Sequence, residues 1–181
     1  MRIEAFAEST IGQSVLRVLG AAMESRFRYR FFGPTKILRG ADIRPGQTGL
    51  EVGCGTGFFT LSAAQLIGDQ GSLVAMDVVP ASVEAVSRRV ATANATNVRV
   101  VKDDAMNTML DAGSFDAILL FGVIPASTLP LDRLLPEMHR ILRPGGTMAV
   151  WPPSWLRESI LRSGLFTYAG RRSGVWNFRR N

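Results

Sequence analysis

The sequence has little of the chemistry from which many functional sites are built. Its 181 residues include one cysteine and one histidine, which excludes an internal disulfide and leaves no Cys/His cluster for a zinc ion. No apolar run approaches the ~18 residues of a membrane-spanning helix. The first ten residues, MRIEAFAEST, also lack the continuous apolar segment of a secretory signal. These absences predict a cytoplasmic protein without a bound metal.

The rest of the composition is that of a globular domain. Hydrophobic residues make up 46% of the chain and charged residues 20%, and the length suffices to bury a full core. The net charge of +6 is uneven: residues 1–40 carry +4, residues 41–156 carry −3 and residues 157–181 carry +5. Basic ends could attract nucleic acid or a lipid surface, although solvated arginines are the simpler interpretation. Nothing in the pattern indicates an oligomeric state.

Apolar runs of strand length alternate with helical patterns along the chain. Such alternation predicts right-handed βαβ units around a parallel sheet, and the tail LFTYAGRRSGVWNFRR predicts a hairpin about an Arg-Ser-Gly turn. We therefore expect an α/β fold with a Rossmann-like, seven-stranded, mostly parallel sheet, helices on both faces and a C-terminal antiparallel hairpin. The predicted strands are 48–53, 72–78, 98–103, 115–121 and 147–151; the predicted helices are 57–68, 80–94, 131–142 and 154–164, with a turn at 143–146.

One connection in this scheme is short. Only DAMNTMLDAGS, residues 104–114, separates the third strand from the fourth. Since this is close to the minimum for a crossover between parallel strands, we expect an irregular connection there and not a helix.

Three glycines directly follow the first predicted strand, in the stretch LEVGCGTGFF. Without Cβ atoms, Gly53, Gly55 and Gly57 let the backbone turn tightly and approach a ligand, and the next helix directs its positive end at the same place. Asp77 ends the second strand, 20 residues after Gly57, where an acid accepts hydrogen bonds from the two hydroxyls of a ribose. The spacing is G-x-G-x-G, with Glu51 two places earlier, and differs from the G-x-G-x-x-G of dinucleotide sites.

This pattern resembles motif I, (D/E)-x-G-x-G-x-G, of the class I S-adenosylmethionine-dependent methyltransferases, and in particular the small ubiquinone/menaquinone-methyltransferase-like group. The resemblance covers most of the chain. AMDVVPASV resembles the second motif, GSFDAILLFGV the fourth-strand motif and LPEMHRILRPGGTMAV the late motif. VVKDDAMNTM is similar to the third-strand motif, often G-D-A, although Asp103 stands where glycine is usual.

The resemblance implies S-adenosyl-L-methionine as cofactor, held by a domain of residues 41–181. Asp77 would bind the ribose, and Asp104 would face the adenine amino group unless Asp103 takes its place. Phe121 and Gly122 would lie where cofactor and acceptor meet, although Phe121 is equally well explained as core. The cofactor-binding residues would be Glu51, Gly53, Cys54, Gly55, Thr56, Gly57, Asp77, Val78, Asp104, Ala105 and Phe121; candidates for the acceptor pocket, from position alone, are Tyr29, Phe32, Gly122, Trp151 and Trp155.

The mechanism that the resemblance implies is direct displacement. The protein mainly holds an acceptor atom in line with the methyl group, roughly 3 Å away, and a base is needed only if the acceptor must lose a proton. No catalytic residue is therefore predicted. His139 lies on a helix expected to flank the sheet, and Cys54 is expected to be an ordinary loop position.

Residues 1–40 are predicted to form a helical cap on the acceptor side. Residues 26–32 alternate arginine with aromatic residues before Gly33-Pro34 interrupts the pattern. The segment could pack on the domain, cover a pocket or lie on a membrane.

We expect a small or lipid-like methyl acceptor. The alternatives are a phospholipid methyltransferase at a membrane surface, suggested by residues 26–32, an RNA methyltransferase, suggested by the basic charge, and a cofactor-binding subunit without turnover. WPPSW, residues 151–155, is similar to the N/D-P-P-Y/W signature of amino-directed nucleic-acid methyltransferases. That signature follows strand four, however, and this stretch follows strand five, so the specific nucleic-acid motif is absent.

Overall fold

One mixed sheet forms the centre of the computed structural model, which describes residues 33–123, 130–151 and 156–181. Within these ranges the sheet has seven strands, and helices lie on both of its faces. The strands are β1 (Thr48–Val52), β2 (Ser72–Asp77), β3 (Val98–Lys102), β4 (Phe115–Phe121), β5 (Leu142–Trp151), β6 (Phe166–Arg172) and β7 (Val175–Arg180), and the helices are α1 (Pro34–Leu38), α2 (Thr60–Ile67), α3 (Pro80–Thr92), α4 (Leu131–Ile141) and α5 (Leu156–Arg162).

The strand order is β3-β2-β1-β4-β5-β7-β6. Strands β1 to β5 pair in parallel, while β7 runs antiparallel to β5 and to β6. The predicted fold, a mostly parallel Rossmann-like sheet with a C-terminal antiparallel hairpin, is confirmed.

Side chains of the central strands alternate between two cores, as the period of two in a strand requires. On the first face, Leu119 and Phe121 pack with α1 and α2, and α3 covers the neighbouring part of that face. On the second face, Ile118 and Leu120 pack with α4 and α5. Because both faces are covered, β1 and β2 consist almost entirely of buried residues.

The helix boundaries follow local sequence. Pro34 and Pro80 begin α1 and α3 at first-turn positions, where the missing N–H of proline is harmless. Gly68 ends α2 with a φ of 72°, a conformation that favours glycine. In α1, Ile37 and Leu38 are buried in the first-face core.

The short connection between β3 and β4, residues 103–114, contains no helix or strand, as predicted. The predicted start of β5 was wrong: the strand begins at Leu142 and includes residues 143–146. Leu142 pairs with Phe115, and the register then jumps so that Thr147 pairs with Ala117. The irregularity follows from Pro144, which has no N–H to donate, and from Gly145, which has a φ of 75°.

The predicted helix before residue 33 lies outside the described residues. In the part of the chain that the structure describes, no helix is long and apolar enough to span a bilayer.

Candidate functional site

The strand order fixes where a ligand can bind. From β1 the chain moves outward to β2 and β3, then returns to β4 on the other side of β1. Open parallel sheets bind ligands beyond the carboxyl ends of the strands at such a reversal. The segments after β1, β2, β3 and β4 all end at this edge, and they contain most of the predicted site residues.

The glycine loop, residues 53–57, follows β1. Gly53, Gly55 and Gly57 have φ values of 68°, 53° and 79°, all in the left-handed region that side chains with a Cβ avoid. The Gly57 N–H donates to the Cys54 carbonyl at 2.8 Å, and the Cys54 N–H donates to the Met76 carbonyl of β2 at 2.9 Å. The loop is therefore a tight turn attached to the end of β2.

The packing of Gly57 leaves little room for a side chain. A Cβ placed there would lie 3.1 Å from Val86 Cγ2 on α3. Helix α3 is also tied to the loop by a hydrogen bond, because the Arg89 guanidinium donates to the Thr56 carbonyl. Glycine at this position thus serves both the backbone conformation and the close approach of α3.

Asp77 holds the glycine loop from the end of β2. Its Oδ2 accepts the Gly55 N–H at 2.8 Å and its Oδ1 accepts the Val79 N–H at 2.9 Å. Burial raises the pKa of this carboxyl, and the N–H groups of Val79, Gly55 and Val78 counteract that shift. Since each carboxylate oxygen can accept two hydrogen bonds, each retains capacity for one more. The two adjacent hydroxyls of a ribose fit this donor requirement.

Glu51 lies beneath the loop and not on the surface. Its side chain is 2% exposed, and the Thr60 hydroxyl donates to its Oε2 at 2.6 Å. Burial raises the pKa of Glu51 to about 8, against the effect of the Thr60 hydrogen bond, and the negative charge of Asp77 adds to the rise. At neutral pH this carboxyl is therefore mostly protonated.

Cys54 is buried within the same loop. Burial, followed by the nearby carboxyls of Glu51 and Asp77, raises the pKa of the thiol. A thiolate is thus disfavoured, and thiolate is the nucleophilic form. Nothing in this environment activates Cys54 as a nucleophile, and its role as an ordinary loop position stays a prediction.

The crossover, residues 103–114, begins beside Asp77: the Asp103 N–H donates to the Asp77 carbonyl at 3.2 Å. Asp103 accepts N–H groups of its own segment, from Asp104 at 2.9 Å and from Met109 at 3.0 Å. Asp104 Oδ1 accepts the Met106 N–H at 2.9 Å. Among the described residues, Asp104 Oδ2 has no hydrogen-bond partner, so Asp104 is the better placed of the two acids to bind a ligand. Ala105 packs against the second-face core.

A pair of side chains on α4 holds the crossover in place, and sequence reasoning missed it. Glu137 Oε1 accepts both the N–H and the hydroxyl of Thr108, at 2.9 and 2.6 Å. Arg140 Nη2 donates to the Leu110 carbonyl at 2.7 Å, and Arg140 Nε donates to Glu137 Oε2 at 2.9 Å. Arg140 is the main reason that the pKa of Glu137 falls to about 2. The i,i+3 pair was visible in the sequence, but its partners 29 to 32 residues away were not.

The ends of β4 and β5 border the glycine loop. The Gly122 N–H donates to the Trp151 carbonyl at 2.9 Å, and a Cβ on Gly53 would lie 3.4 Å from Val123 Cγ2. Phe121 is 3% exposed, and its side chain belongs to the first-face core. Its ring meets Phe59 at a centroid distance of 5.1 Å. Trp151 is half-buried, and its ring centroid lies 5.8 Å from that of Phe59.

Several candidates lie elsewhere. His139 packs against Phe166 on the second face, at the end of α4, whose last residues hydrogen-bond to Gly113 and Ser114 before the start of β4. It is thus at the opposite edge of the sheet from the glycine loop. Tyr29, Phe32 and Trp155 fall outside the described residues. Within those residues no group of three or more His, Cys, Asp or Glu side chains is arranged to hold a metal ion.

Comparisons with known proteins agree with this geometry. Residues 50–146 match a family described as a methyltransferase domain. Over 131 residues the chain is 30% identical to a demethylmenaquinone methyltransferase of Shouchella clausii, an alignment that covers 72% of this chain and 55% of that protein. Over 137 residues it is 33% identical to a nocamycin O-methyltransferase of Saccharothrix syringae, covering 72% of this chain and 48% of that protein. The chain thus spans about half the length of these curated relatives.

A solved structure shows the same fold along nearly the whole chain. A SAM-dependent methyltransferase from Aquifex aeolicus superposes with a TM-score of 0.75 at 22% identity, covering 92% of this chain and 96% of that chain. The match to the family, the identity to its curated members and the glycine loop between β1 and α2 lead to one conclusion. This chain belongs to the methyltransferase-domain family of the class I S-adenosylmethionine-dependent methyltransferases.

Proposed function

We propose that the protein binds S-adenosylmethionine at the carboxyl ends of β1, β2 and β3 and transfers its methyl group to a small or lipid-like acceptor. The observation that carries the proposal is the Asp77 carboxylate, which is 9% exposed and hydrogen-bonded to the loop through Gly55. It is fixed in position, yet it retains acceptor capacity for the two hydroxyls of a ribose.

Each fixed part of the site would bind a different part of the cofactor. Asp77 would accept the ribose hydroxyls, the glycine loop would lie against the amino-acid part, and Asp104, through its remaining oxygen, would accept the adenine amino group. When bound, the cofactor supplies a methyl group that is already electrophilic, because its sulfonium leaves as a neutral thioether. The chain's own contribution would be to hold the acceptor atom in line with that methyl group and to exclude water.

No general base is needed for an acceptor that is already ionised or that carries a free lone pair. His139 lies at the other edge of the sheet, and the buried thiol of Cys54 is held protonated. We therefore assign the chain a positioning role and assign no residue a proton-transfer role.

A lipid-like acceptor is supported by the surroundings of the site. Trp151, half-buried at the carboxyl end of β5, would offer such an acceptor an aromatic surface, and Phe59 and Phe121 pack behind it in the first-face core. The relative from Shouchella clausii is named for demethylmenaquinone, which makes a quinone-like ring the first acceptor to test. The nocamycin O-methyltransferase favours a small molecule more generally.

Cofactor binding is tested by calorimetric titration with S-adenosylmethionine and with S-adenosylhomocysteine. We expect micromolar binding to the unaltered protein and a loss of at least about tenfold in Asp77→Asn, because a hydrogen bond to a charged acceptor is lost. Asp69→Asn is the matched control, since Asp69 is an exposed residue in the turn after α2. Equal affinities for all three proteins would overturn the assignment of the site.

The acceptor is tested with cofactor carrying a labelled methyl group, incubated with demethylmenaquinone that has been chemically reduced to the electron-rich quinol and, in parallel, with fractionated host extract. Label in the lipid or small-molecule fraction supports the proposal. Label in RNA or in protein would show that the methyl acceptor is that macromolecule and not a lipid or small molecule. Cofactor binding without label in any fraction would favour a non-catalytic subunit.

A further inference from the structure

A polar groove of about 210 Å³ lies at the opposite edge of the sheet from the glycine loop. It is lined by residues just before β1, at the start of β4, in the irregular part of β5 and near the end of β7. The charged side chains in its walls are Asp42, Arg44, Asp116, Arg143 and Arg179. The methyl-transfer proposal uses none of them.

The two carboxylates form the floor of this groove. Asp116 accepts the Thr48 N–H at 2.7 Å, and Asp42 accepts ion-pair contacts from Arg44 at 3.3 Å and from Arg179 at 4.0 Å. Their side chains are 18% exposed for Asp42 and 25% for Asp116. The acids are thus occupied by partners within the protein.

The guanidinium groups form the rim and remain open to solvent. The exposed fractions are 69% for Arg44, 48% for Arg143 and 53% for Arg179. Arg172 of β6 reaches the same Asp42 carboxylate at 3.3 Å. One carboxylate is therefore shared by three arginines, while Asp116 pairs with Arg143 at 2.6 Å. The groove lining has three arginines and two aspartates, a formal surplus of one positive charge, and Arg172, beside the groove at Asp42, raises the local surplus to two.

We propose that this groove binds a phosphate or diphosphate group carried by a small molecule. The surplus charge matches a dianion, and each guanidinium has five N–H donors, of which its contacts to Asp42 or Asp116 use few. Arginine binds phosphate through paired N–H donors, a geometry that a single lysine ammonium does not provide. A volume of about 210 Å³ suits one or two phosphate groups, whereas nucleic-acid binding proteins contact several successive phosphates.

The groove is separate from the methyl-transfer site. Thr48 and Val52 mark the two ends of β1, and four residues of strand rise about 13 Å at ~3.3 Å per residue. A ligand in the groove therefore does not contact the glycine loop. Failure of this proposal leaves the cofactor assignment intact, and the reverse also holds.

The test is a calorimetric titration with inorganic phosphate and with pyrophosphate, using chloride at matched ionic strength as a reference. The groove variant is Arg44→Gln with Arg179→Gln. The matched control is Arg88→Gln with Arg162→Gln, which removes the same charge from exposed positions on α3 and α5. Cofactor affinity, measured in all three proteins, serves as the readout of correct folding.

We expect saturable pyrophosphate binding to the unaltered protein, weakened about tenfold or more in the groove variant and less than about twofold in the control. Cofactor affinity stays the same in all three. Absence of saturable binding, or an equal loss in both variants, overturns the proposal. A short RNA that displaces pyrophosphate more strongly than phosphate does, and whose binding is lost in the groove variant, would assign the groove to nucleic acid and would also overturn the proposal.

Discussion

Two connections, the glycine loop and the crossover, border the candidate cofactor site, and different kinds of interaction hold each of them in place. Local backbone geometry shapes the glycine loop, with three left-handed glycines; Glu51, just before the loop, is buried against Thr60, and a pKa of about 8 keeps it mostly protonated. Distant side chains hold the crossover, and its anchor, Glu137, has a pKa of about 2 and is ionised. The first connection therefore depends on shape and burial, and the second on charge-assisted hydrogen bonds.

The difference predicts how each connection responds to change. The glycine loop should tolerate almost no added atoms but should be insensitive to salt. The crossover should tolerate changes of shape at its exposed surface, where Met109 is 90% exposed, but should weaken when the charge on Glu137 is lost. Four substitutions separate these expectations.

The largest effect is expected from Gly57→Ala. The added Cβ would lie 3.1 Å from Val86 Cγ2 and would occupy a φ of +79°, which costs roughly 1–3 kcal/mol in strain. Because the loop must shift, cofactor affinity should fall on the order of a hundredfold. Gly113→Ala in the crossover is the control, since Gly113 has a φ of +61° but no atom within 4 Å of an added Cβ. Its cofactor affinity should stay within about threefold; an equal loss in both variants would show that strain alone, and not close packing, explains the effect.

Glu51→Gln tests whether Glu51 is protonated in the folded protein, through the pH dependence of the free energy of unfolding. The folded state keeps a proton to about pH 8 that the unfolded state releases near 4.5. The contribution of this proton to the free energy of unfolding is therefore complete below pH 4.5 and is lost as the pH rises towards 8. The glutamine variant lacks this dependence. When the pH rises from 5.5 to 8.5, the free energy of unfolding of the unaltered protein should therefore fall by roughly 3 kcal/mol more than that of the variant. Urea denaturation at both pH values measures the difference, and parallel curves would contradict a protonated Glu51.

Glu137→Ala tests the charged anchor. The Thr108 N–H and hydroxyl and the Arg140 guanidinium would lose their partner, which should lower the free energy of unfolding by about 2 kcal/mol at pH 7. Since the folded pKa of Glu137 lies below the unfolded value of 4.5, its contribution is present above pH 4.5 and is lost as the pH falls towards 2. Glu158→Ala, at a residue that is 65% exposed beside Arg157, should change stability by less than about 0.5 kcal/mol. Equal effects of the two substitutions on the free energy of unfolding at pH 7 would show that Glu137 does not stabilise the crossover.

Thr108→Val should have the smallest effect. The substitution keeps the volume of a side chain that is 7% exposed, but it removes the hydroxyl that donates to Glu137 at 2.6 Å. The expected loss is about 1 kcal/mol, the net value of one hydrogen bond. In the double variant with Glu137→Ala the two losses should not add, because they share that bond; full additivity would show that the two side chains act independently.

The sequence predicts the glycine loop better than the crossover for the same physical reason. Gly53, Gly55, Gly57 and Asp77 act through backbone geometry and strand position, which spacing along the chain reports directly. The contact between Glu137 and Thr108 forms only after the chain folds, so spacing does not reveal it.

Burial is likewise a property of the folded chain. The sequence predicted Glu51 at the end of the strand, but its position beneath the loop and its raised pKa follow from packing against Thr60 and α2. The start of β5 was missed because Pro144 and Gly145 are typical of a turn. In the sheet they form an irregularity within the strand.

A combined change of protein and ligand shows whether Asp77 binds the ribose of the cofactor. The affinities of S-adenosylhomocysteine and of its 2′-deoxyribose analogue are measured by calorimetry for the unaltered protein and for Asp77→Asn. Removing the hydroxyl should weaken binding to the unaltered protein about tenfold or more, whereas the variant should bind the two ligands with nearly equal affinity. The same loss in both proteins would contradict a contact between Asp77 and the ribose.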